Sequence, residues 1–321
     1  MKKPLIIYVT KGGKELAERL TALLGGGEYV PYREAKIEKA FSEKQPLIFI
    51  GACGIAVRAI CPHLKHKSED PPVLVLDERG RFVISLLSGH LGGANALAEK
   101  VAELLKATPV ITTASEVKGL PALDLWLKEQ GALLENWDIL KKLQGKLVNE
   151  GALSVFLEPP LALPLPAPLK KAPSSQKADF IITYKEGHHS KPFFFIKALC
   201  LGVGFHDKEK ELCRKVIALL KEKGLSPRAV KYVATLDKRG KNPSFSKLAA
   251  TLSAESKIFT GEDLSRVFPP SPSHAQKALK IPGVAEPCAL LAAEGGPLVL
   301  PKTTYEGITV AVAVHAAFTF R

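Results

Sequence analysis

His90 sits in Ser88-Gly89-His90-Leu91-Gly92-Gly93-Ala94-Asn95, a turn with three glycines between an apolar stretch at 82–87 and an amphipathic run at 94–105. A neutral imidazole near neutral pH is a competent general base for activating water. Glu116, closing Thr112-Thr113-Ala114-Ser115-Glu116 after a second apolar stretch, is a carboxylate that would orient it. Glycine lets a backbone take left-handed angles and lets another group come close, so Gly89, Gly92 and Gly93 predict a close approach at this loop. Each residue also has a plainer reading. His90 can bond the loop backbone, Glu116 can be a surface residue at the start of a helix, and Ser88 can bond a ligand or cap the turn. Ser88-Gly-His is not the G-x-S-x-G elbow, and no serine-histidine-acid order is evident, so Ser88 is not read as a nucleophile.

The elements that must position these groups alternate between strand and helix. Apolar runs at 5–9, 47–50, 73–76 and 82–87 are too short for helices and read as strands. Leu16, Leu20, Leu23 and Leu24 predict a helix over 14–24, and Gly51-Ala-Cys-Gly54 leads into another from about 55 to Pro62. Asp77-Glu-Arg-Gly80-Arg81 reads as a hairpin turn, with Gly80 where a positive φ is needed. The alternation otherwise predicts an α/β domain over residues 1–120, a doubly wound and mostly parallel sheet with helices on both faces. Ligands bind beyond the carboxyl ends of such strands, so the turns at 51–54, 88–93 and 112–116 are expected on one edge. Arg58 would reach that edge as a carboxylate clamp. Along 82–87, at 3.3 Å per residue, the chain moves about 20 Å from Asp77 and Glu78, which makes them poor partners for His90. Ser68-Glu69-Asp70 falls at the His90 end instead.

Residues 121–192 form a middle segment. Its run over 120–150 is helical, 153–157 is a strand, and the Pro-rich 158–173 is an extended surface connection unable to join a helix or central strand. After a strand at 180–184, His188-His189 reads as loop, since adjacent histidines make a weak metal signal. Residues 193–321 form a second α/β domain. Its strand at 194–203 enters Gly202-Val-Gly204-Phe205-His206-Asp207, with Asp207 capping a helix whose Leu212, Val216, Leu219 and Leu220 share one face. Strands at 230–236, 257–259 and 298–300 lead to Lys238-Arg239, to a capping box at Thr260-Gly-Glu-Asp263, and to Lys302. The edge rule gathers Gly204, His206, Lys238, Arg239 and Lys302 around an anion; singly, each reads as surface. The third glycine of the dinucleotide fingerprint is missing and no acidic residue ends the next strand at the expected place, so a nicotinamide cofactor is not expected.

Forty-five Lys and Arg against 32 Asp and Glu give a net charge of +13, which favours anionic partners. The basic residues are dispersed and no nucleic-acid-binding pattern accompanies them, so nucleic acid is not expected. Apolar runs at 46–57 and 307–318 are too short to cross a bilayer, and Met1-Lys-Lys precedes a strand and not a leader core, so the expected place is the cytoplasm. Five cysteines without a C-x-x-C pair signal neither a disulfide framework nor zinc, and are expected to be reduced and mostly buried.

Four N-terminal motifs resemble the cobalt-precorrin 5A hydrolase family of anaerobic cobalamin biosynthesis. They are Gly51-Ala-Cys-Gly-Ile-Ala-Val-Arg58, Val75-Leu-Asp-Glu-Arg-Gly80, Ser85-Leu-Leu-Ser-Gly-His-Leu-Gly-Gly-Ala-Asn-Ala-Leu-Ala98 and Pro109-Val-Ile-Thr-Thr-Ala114. Gly202-Val-Gly204, Gly283-Val-Ala-Glu286 and the closing Thr309-Val-Ala-Val-Ala are similar to that family's C-terminal domain. Phe205, His206, Arg239 and Asn242 depart from its usual pattern. The resemblance implies opening of a δ-lactone in cobalt-precorrin 5A, loss of the former meso carbon with its methyl group as acetaldehyde, and formation of cobalt-precorrin 5B. It implies no cofactor, since cobalt belongs to the corrinoid substrate and no protein-held metal is needed; transient contact with neighbouring pathway enzymes would follow. On that reading His90 activates water, Glu116 orients it, and Ser88 with the Gly92 and Gly93 amides binds oxygen. Gly51, Gly54, Arg58, Gly89, Thr112, Gly204, His206, Lys238 and Lys302 would hold the macrocycle. The alternatives are a non-catalytic tetrapyrrole carrier, and binding of a phosphorylated nucleotide or sugar by the glycine loops.

Overall fold

The computed structural model describes residues 2–66, 69–90, 92–271 and 282–319; Met1, Ser68 and Leu91 of the motifs above lie outside the described residues. The chain divides into two compact units, Met1–Leu125 and Trp126–Arg321.

In the first unit, strands β1 (Leu5–Tyr8), β2 (Glu28–Pro31), β3 (Leu47–Ile50), β4 (Val73–Leu76), β5 (Phe82–Leu87) and β6 (Thr108–Val110) form one sheet in the order β2-β1-β3-β4-β5-β6. Every pairing is parallel except β4 with β5. Helices α1 (Lys11–Leu23) and α4 (Ala94–Leu105) cover one face, where Leu16, Leu20, Ala98 and Val101 pack on Ile6, Ile48 and Leu74. The other face buries Phe41 of α2 (Ile37–Ser42) and Ala56 and Ile60 of α3 (Cys53–Ile60) against Ile7, Phe49 and Val75. Alternate residues of each central strand thus serve opposite layers, as a doubly wound sheet requires. The short helices α5 (Ala114–Val117) and α6 (Leu123–Glu129) follow β6. α1 begins earlier than its leucine spacing predicts because Thr10 caps it, its Oγ1 accepting from the Gly13 amide at 3.0 Å. The hairpin is present, with Gly80 at φ 65°.

The second unit holds two sheets. Strands β7 (Leu153–Leu157), β8 (Leu169–Lys171), β9 (Phe180–Thr183) and β10 (Phe193–Phe195) are all parallel, in the order β10-β9-β7-β8, with α7 (Trp137–Glu150) preceding β7. β11 (Leu199–Gly204), β12 (Val230–Leu236), β13 (Glu255–Phe259), β14 (Leu298–Tyr305) and β15 (Ile308–Val314) take the order β13-β12-β11-β15-β14. Here β11, β12 and β13 are parallel and β15 runs antiparallel to both its neighbours. The helices are α8 (Leu212–Glu222), α9 (Asp237–Gly240), α10 (Pro243–Thr251), α11 (Gly261–Ser265) and α12 (Ala285–Ala292).

Four expectations change. The run 194–203 is not one strand: it breaks between β10 and β11, which join different sheets. The Pro-rich segment is more than a surface connection, since Leu161, Leu163, Leu169 and Ala172 are buried and β8 pairs with β7 at the sheet's edge, where missing prolyl N–H groups do no harm. Asp207 does not cap α8, which starts five residues later without a side-chain cap; it pairs with Arg239 instead. Cys200 and Cys288 are buried, whereas Cys53 and Cys61 are exposed, so burial of the thiols is less general than composition suggests. Among the described residues no helix is long and apolar enough to cross a membrane.

Candidate active site

β5 reverses the sheet's direction, so the turns predicted to share an edge do not. The Gly51 amide donates to the Leu76 carbonyl at 2.9 Å, placing Gly51, Gly54 and Arg58 beside the hairpin turn. Ser88 Oγ donates to the Asp70 carbonyl at 2.9 Å, at the opposite end of β4. At 3.3 Å per residue these ends lie roughly 15 Å or more apart. The 88–93 and 112–116 turns do share an edge, because β5 and β6 are parallel. Gly51, Gly54 and Arg58 are therefore not part of the His90 site, and the exposed Arg58 guanidinium donates to the Gly54 carbonyl at 3.2 Å.

At the His90 edge three elements converge. The end of β5 delivers His90, α5 delivers Ser115 and Glu116, and α6 brings Asp124 back over them. Ser115 Oγ lies 3.1 Å from His90 Nε2, Glu116 Oε1 lies 3.9 Å from the same nitrogen, and Asp124 Oδ1 lies 3.8 Å from Nδ1. The imidazole side chain is 16% exposed and that of Asp124 10%, against 45% for Glu116. With the Ser115 hydroxyl donating to Nε2, the ring proton sits on Nδ1 and faces Asp124. Asp124 thus stands on the Nδ1 side of the ring, while Glu116 shares the Nε2 side with Ser115. Asn95 steadies Glu116: its Nδ2 donates to Glu116 Oε1 at 3.3 Å and its Oδ1 accepts from Ser85 Oγ at 2.7 Å. Thr112 is exposed at the same edge.

The glycines of the loop answer to the loop itself. A Cβ at Gly92 would stand 2.4 Å from Ser88 Cβ, and one at Gly89 would stand 2.7 Å from Asn95 Oδ1. The close approach they predict is therefore made by Ser88 and Asn95. Gly93 caps α4 with φ 86°, and Ser88 itself holds φ 59°. The amides of Gly93, Ala94 and Asn95 donate to the carbonyls of His90, Ser88 and Gly89 at 2.9, 3.1 and 3.0 Å. Consequently the Gly93 amide is not available as an oxygen-binding donor, and the Ser88 hydroxyl serves as a turn clamp.

In the second unit, the ends of β11 and β12 do meet. Arg239 Nε donates to the Phe205 carbonyl at 3.1 Å, its NH1 pairs with Asp207, and Asn242 Nδ2 donates to the Asp207 carbonyl at 3.1 Å. His206 and Lys238 are exposed beside them, whereas Lys302 lies on β14, across β15 from Gly204. Glu286 is a buried carboxylate, 1% exposed, that accepts from the Ser271 amide and hydroxyl at 3.0 and 2.7 Å and from the Lys302 amide at 2.8 Å. Gly202 has a packing reason, since a Cβ there would fall 1.8 Å from the Ala285 carbonyl oxygen of α12. Among the described residues no group of His, Cys, Asp and Glu is placed to hold a metal ion.

The family described as Cobalamin synthesis G N-terminal matches residues 35–116, and Cobalamin synthesis G C-terminus matches residues 199–313. The chain belongs to the cobalamin synthesis G family. It is 28% identical over 353 residues to a cobalt-precorrin-5A hydrolase of Priestia megaterium, covering 96% of this chain and 94% of that protein. It is 46% identical over 132 residues to a cobalt-precorrin-5A hydrolase of Salmonella typhimurium, covering 37% of this chain and 38% of that protein. A solved structure of a cobalamin biosynthesis protein G homologue from Sulfolobus solfataricus is 22% identical, covers 98% of this chain and 97% of its own, and superposes with a TM-score of 0.42. The N-terminal family match contains His90, Asn95, Ser115 and Glu116 and stops short of Asp124; the C-terminal match contains Arg239, Glu286 and Lys302.

Asn95, Ser115 and Asp124 are the site residues that spacing alone does not single out. A signal existed for two of them. Asn95 falls on the otherwise apolar buried face of its helix, and Asp124 is a charge among Leu123, Trp126 and Leu127, all buried. Ser115 carries no such mark, because its role depends on the fold bringing α5 onto the imidazole.

Proposed function

We propose that this chain hydrolyses the δ-lactone of cobalt-precorrin 5A, releasing acetaldehyde and giving cobalt-precorrin 5B in anaerobic cobalamin biosynthesis. The names of its relatives support the reaction, and the observation in this chain that carries it is the His90 imidazole set between a hydroxyl on Nε2 and a carboxylate on Nδ1. Opening an ester needs a base that accepts a proton as the oxygen nucleophile attacks and returns it to the leaving alkoxide. His90 is placed to do both. Asp124 fixes the ring and stabilises the imidazolium, and Glu116 stands on the reacting side, where it can hold water. Hydrolysis adds one water across the acyl carbon–oxygen bond; the freed hydroxyl on the former meso carbon then loses its proton and becomes the carbonyl of acetaldehyde as the bond from that carbon to the macrocycle breaks, its electron pair staying on the ring carbon, which takes up a proton. Cobalt arrives with the substrate, and the chain supplies no cofactor. A substrate rich in carboxylates suits a net charge of +13. Thr112 lines the His90 edge, and Gly204, His206, Lys238 and Lys302 hold substrate carboxylates at the second unit's own edge. The cytoplasm is the compartment, with transient hand-over from neighbouring pathway enzymes.

The test is to incubate purified protein with cobalt-precorrin 5A and trap aldehyde. One acetaldehyde per macrocycle is expected, and His90→Ala should abolish release while retaining corrinoid binding. Corrinoid binding without any acetaldehyde from the unmodified chain would overturn the hydrolase reading in favour of a carrier.

A further inference from the structure

Among the described residues the His90 imidazole has one hydrogen-bond partner, and it is the hydroxyl of Ser115 at 3.1 Å from Nε2. A base that activates water directly would present that nitrogen to solvent. Here it is presented to a serine, with a carboxylate 3.8 Å from the other nitrogen. Base, nucleophile and orienting acid come in the chain order His90, Ser115, Asp124, and such a constellation is recognised by its geometry and not by sequence order. Asp124 lies beyond hydrogen-bond length from Nδ1, at ion-pair distance from the ring.

We propose that Ser115 is the nucleophile of this site and that ester opening runs through an acyl-serine intermediate. The proposal rests on the lactone-hydrolase reading for its substrate, but not for its chemistry. In the first half, Ser115 Oγ bonds to the acyl carbon while His90 Nε2 takes the hydroxyl proton. The carbonyl π pair moves onto oxygen and returns as the ring carbon–oxygen bond breaks, and His90 delivers its proton to the departing alkoxide. In the second half, water attacks the acyl-serine, His90 takes a water proton, and Oγ leaves with that proton. One water is consumed, the carboxylic acid is released, and Ser115 is regenerated. No oxidant, metal or co-reactant is needed. The alternative use of Ser115 is to hold the ring still, and its 2% exposure fits that role too. The two differ in whether Oγ becomes covalently bonded.

A fluorophosphonate ester reacts with activated serines and needs no corrinoid. Incubation of the intact protein, digestion and peptide mass mapping should find the phosphonyl group on Ser115, with labelling reduced at least about a hundredfold in His90→Ala. In parallel, Ser115→Ala should lower acetaldehyde release from cobalt-precorrin 5A by about a thousandfold or more while still binding corrinoid. No label on Ser115 in the unmodified protein overturns the proposal, as does acetaldehyde release by Ser115→Ala within about threefold of the unmodified chain. The labelling arm keeps the test decisive if Ser115→Ala fails to fold. A labelled Ser115 in a protein that releases no acetaldehyde would overturn the substrate assignment and leave the nucleophile standing.

Discussion

Two sheets in this chain combine parallel strands with an antiparallel one, and the consequences differ. In the second unit the antiparallel β15 stands beside β11, and the parallel trio β11, β12 and β13 still delivers its turns to a single edge. In the first unit the antiparallel pairing lies between β4 and β5, upstream of the His90 loop, so the turns that follow β5 and β6 exit on the far side from the 51–54 turn. The rule that ligands gather beyond the carboxyl ends of strands is a rule about direction. One hairpin divides the glycine turns of a single sheet into two groups.

The sharpest way to break that contrast is to mutate one residue from each group. His90→Ala should lower acetaldehyde release by roughly a hundred- to ten-thousandfold, the range of a lost general base. Arg58→Ala, on the opposite edge, should change kcat/KM by less than about threefold. A large loss for Arg58→Ala in a folded protein would mean that the two edges act on one substrate after all.

Next in size is the orienting carboxylate. Asp124→Asn should reduce kcat by about a hundredfold or more, with corrinoid binding unchanged, because an amide can hold the wrong ring tautomer. Glu116→Gln, on the Nε2 side and 45% exposed, should have the smaller effect. Steady-state kinetics on both variants, with the reverse ranking as the disproof, decides which carboxylate orients His90.

The glycines sharpen the same contrast in stability. Gly202→Ala would drive a methyl group into the Ala285 carbonyl at 1.8 Å, where a rigid strand meets a rigid helix. A loss of about 3 kcal/mol is expected in denaturant melts. Gly92→Ala meets Ser88 Cβ at 2.4 Å and the Ser88 carbonyl oxygen at 2.7 Å within one short loop, so roughly 2 kcal/mol is expected, with a larger effect on kcat than on stability.

What was legible in the sequence follows from the range over which each signal acts. The hairpin, the leucine face of α8 and the capping box at Thr260 are encoded within ten residues or so, and all three are present. Glu28–Pro31 was not legible as a strand, since two of its four residues are exposed on an edge and it lacks an apolar run. His90 and Glu116 were legible as polar residues at strand ends, and they do lie together. Their arrangement about the two ring nitrogens was not, because Asp124 reaches the imidazole only after the chain has passed through β6 and α5. For the glycine cluster, spacing shows that something comes close, but not that the loop's own Ser88 and Asn95 crowd Gly92 and Gly89.

The smallest predicted effect is on pH dependence, and it separates the units once more. His315 in the second unit is pushed below its ordinary value of 6.5, first by burial and then by the Lys231 charge, with Glu294 opposing. Its Nδ1 accepts from the Ala317 amide at 3.2 Å, a bond that a neutral ring can make. Because the folded state holds the proton less tightly, the unfolded chain binds more protons as pH falls through 6.5. The contribution is therefore complete above that value and is lost progressively below it. Trp126, at the start of the second unit, and Trp137, on α7, report its urea melt through their fluorescence. The midpoint should fall between pH 7.5 and 5, and His315→Asn, whose Oδ1 can still accept from Ala317, should flatten that fall by the share due to one group. An unchanged slope in His315→Asn would assign the acid sensitivity to other residues.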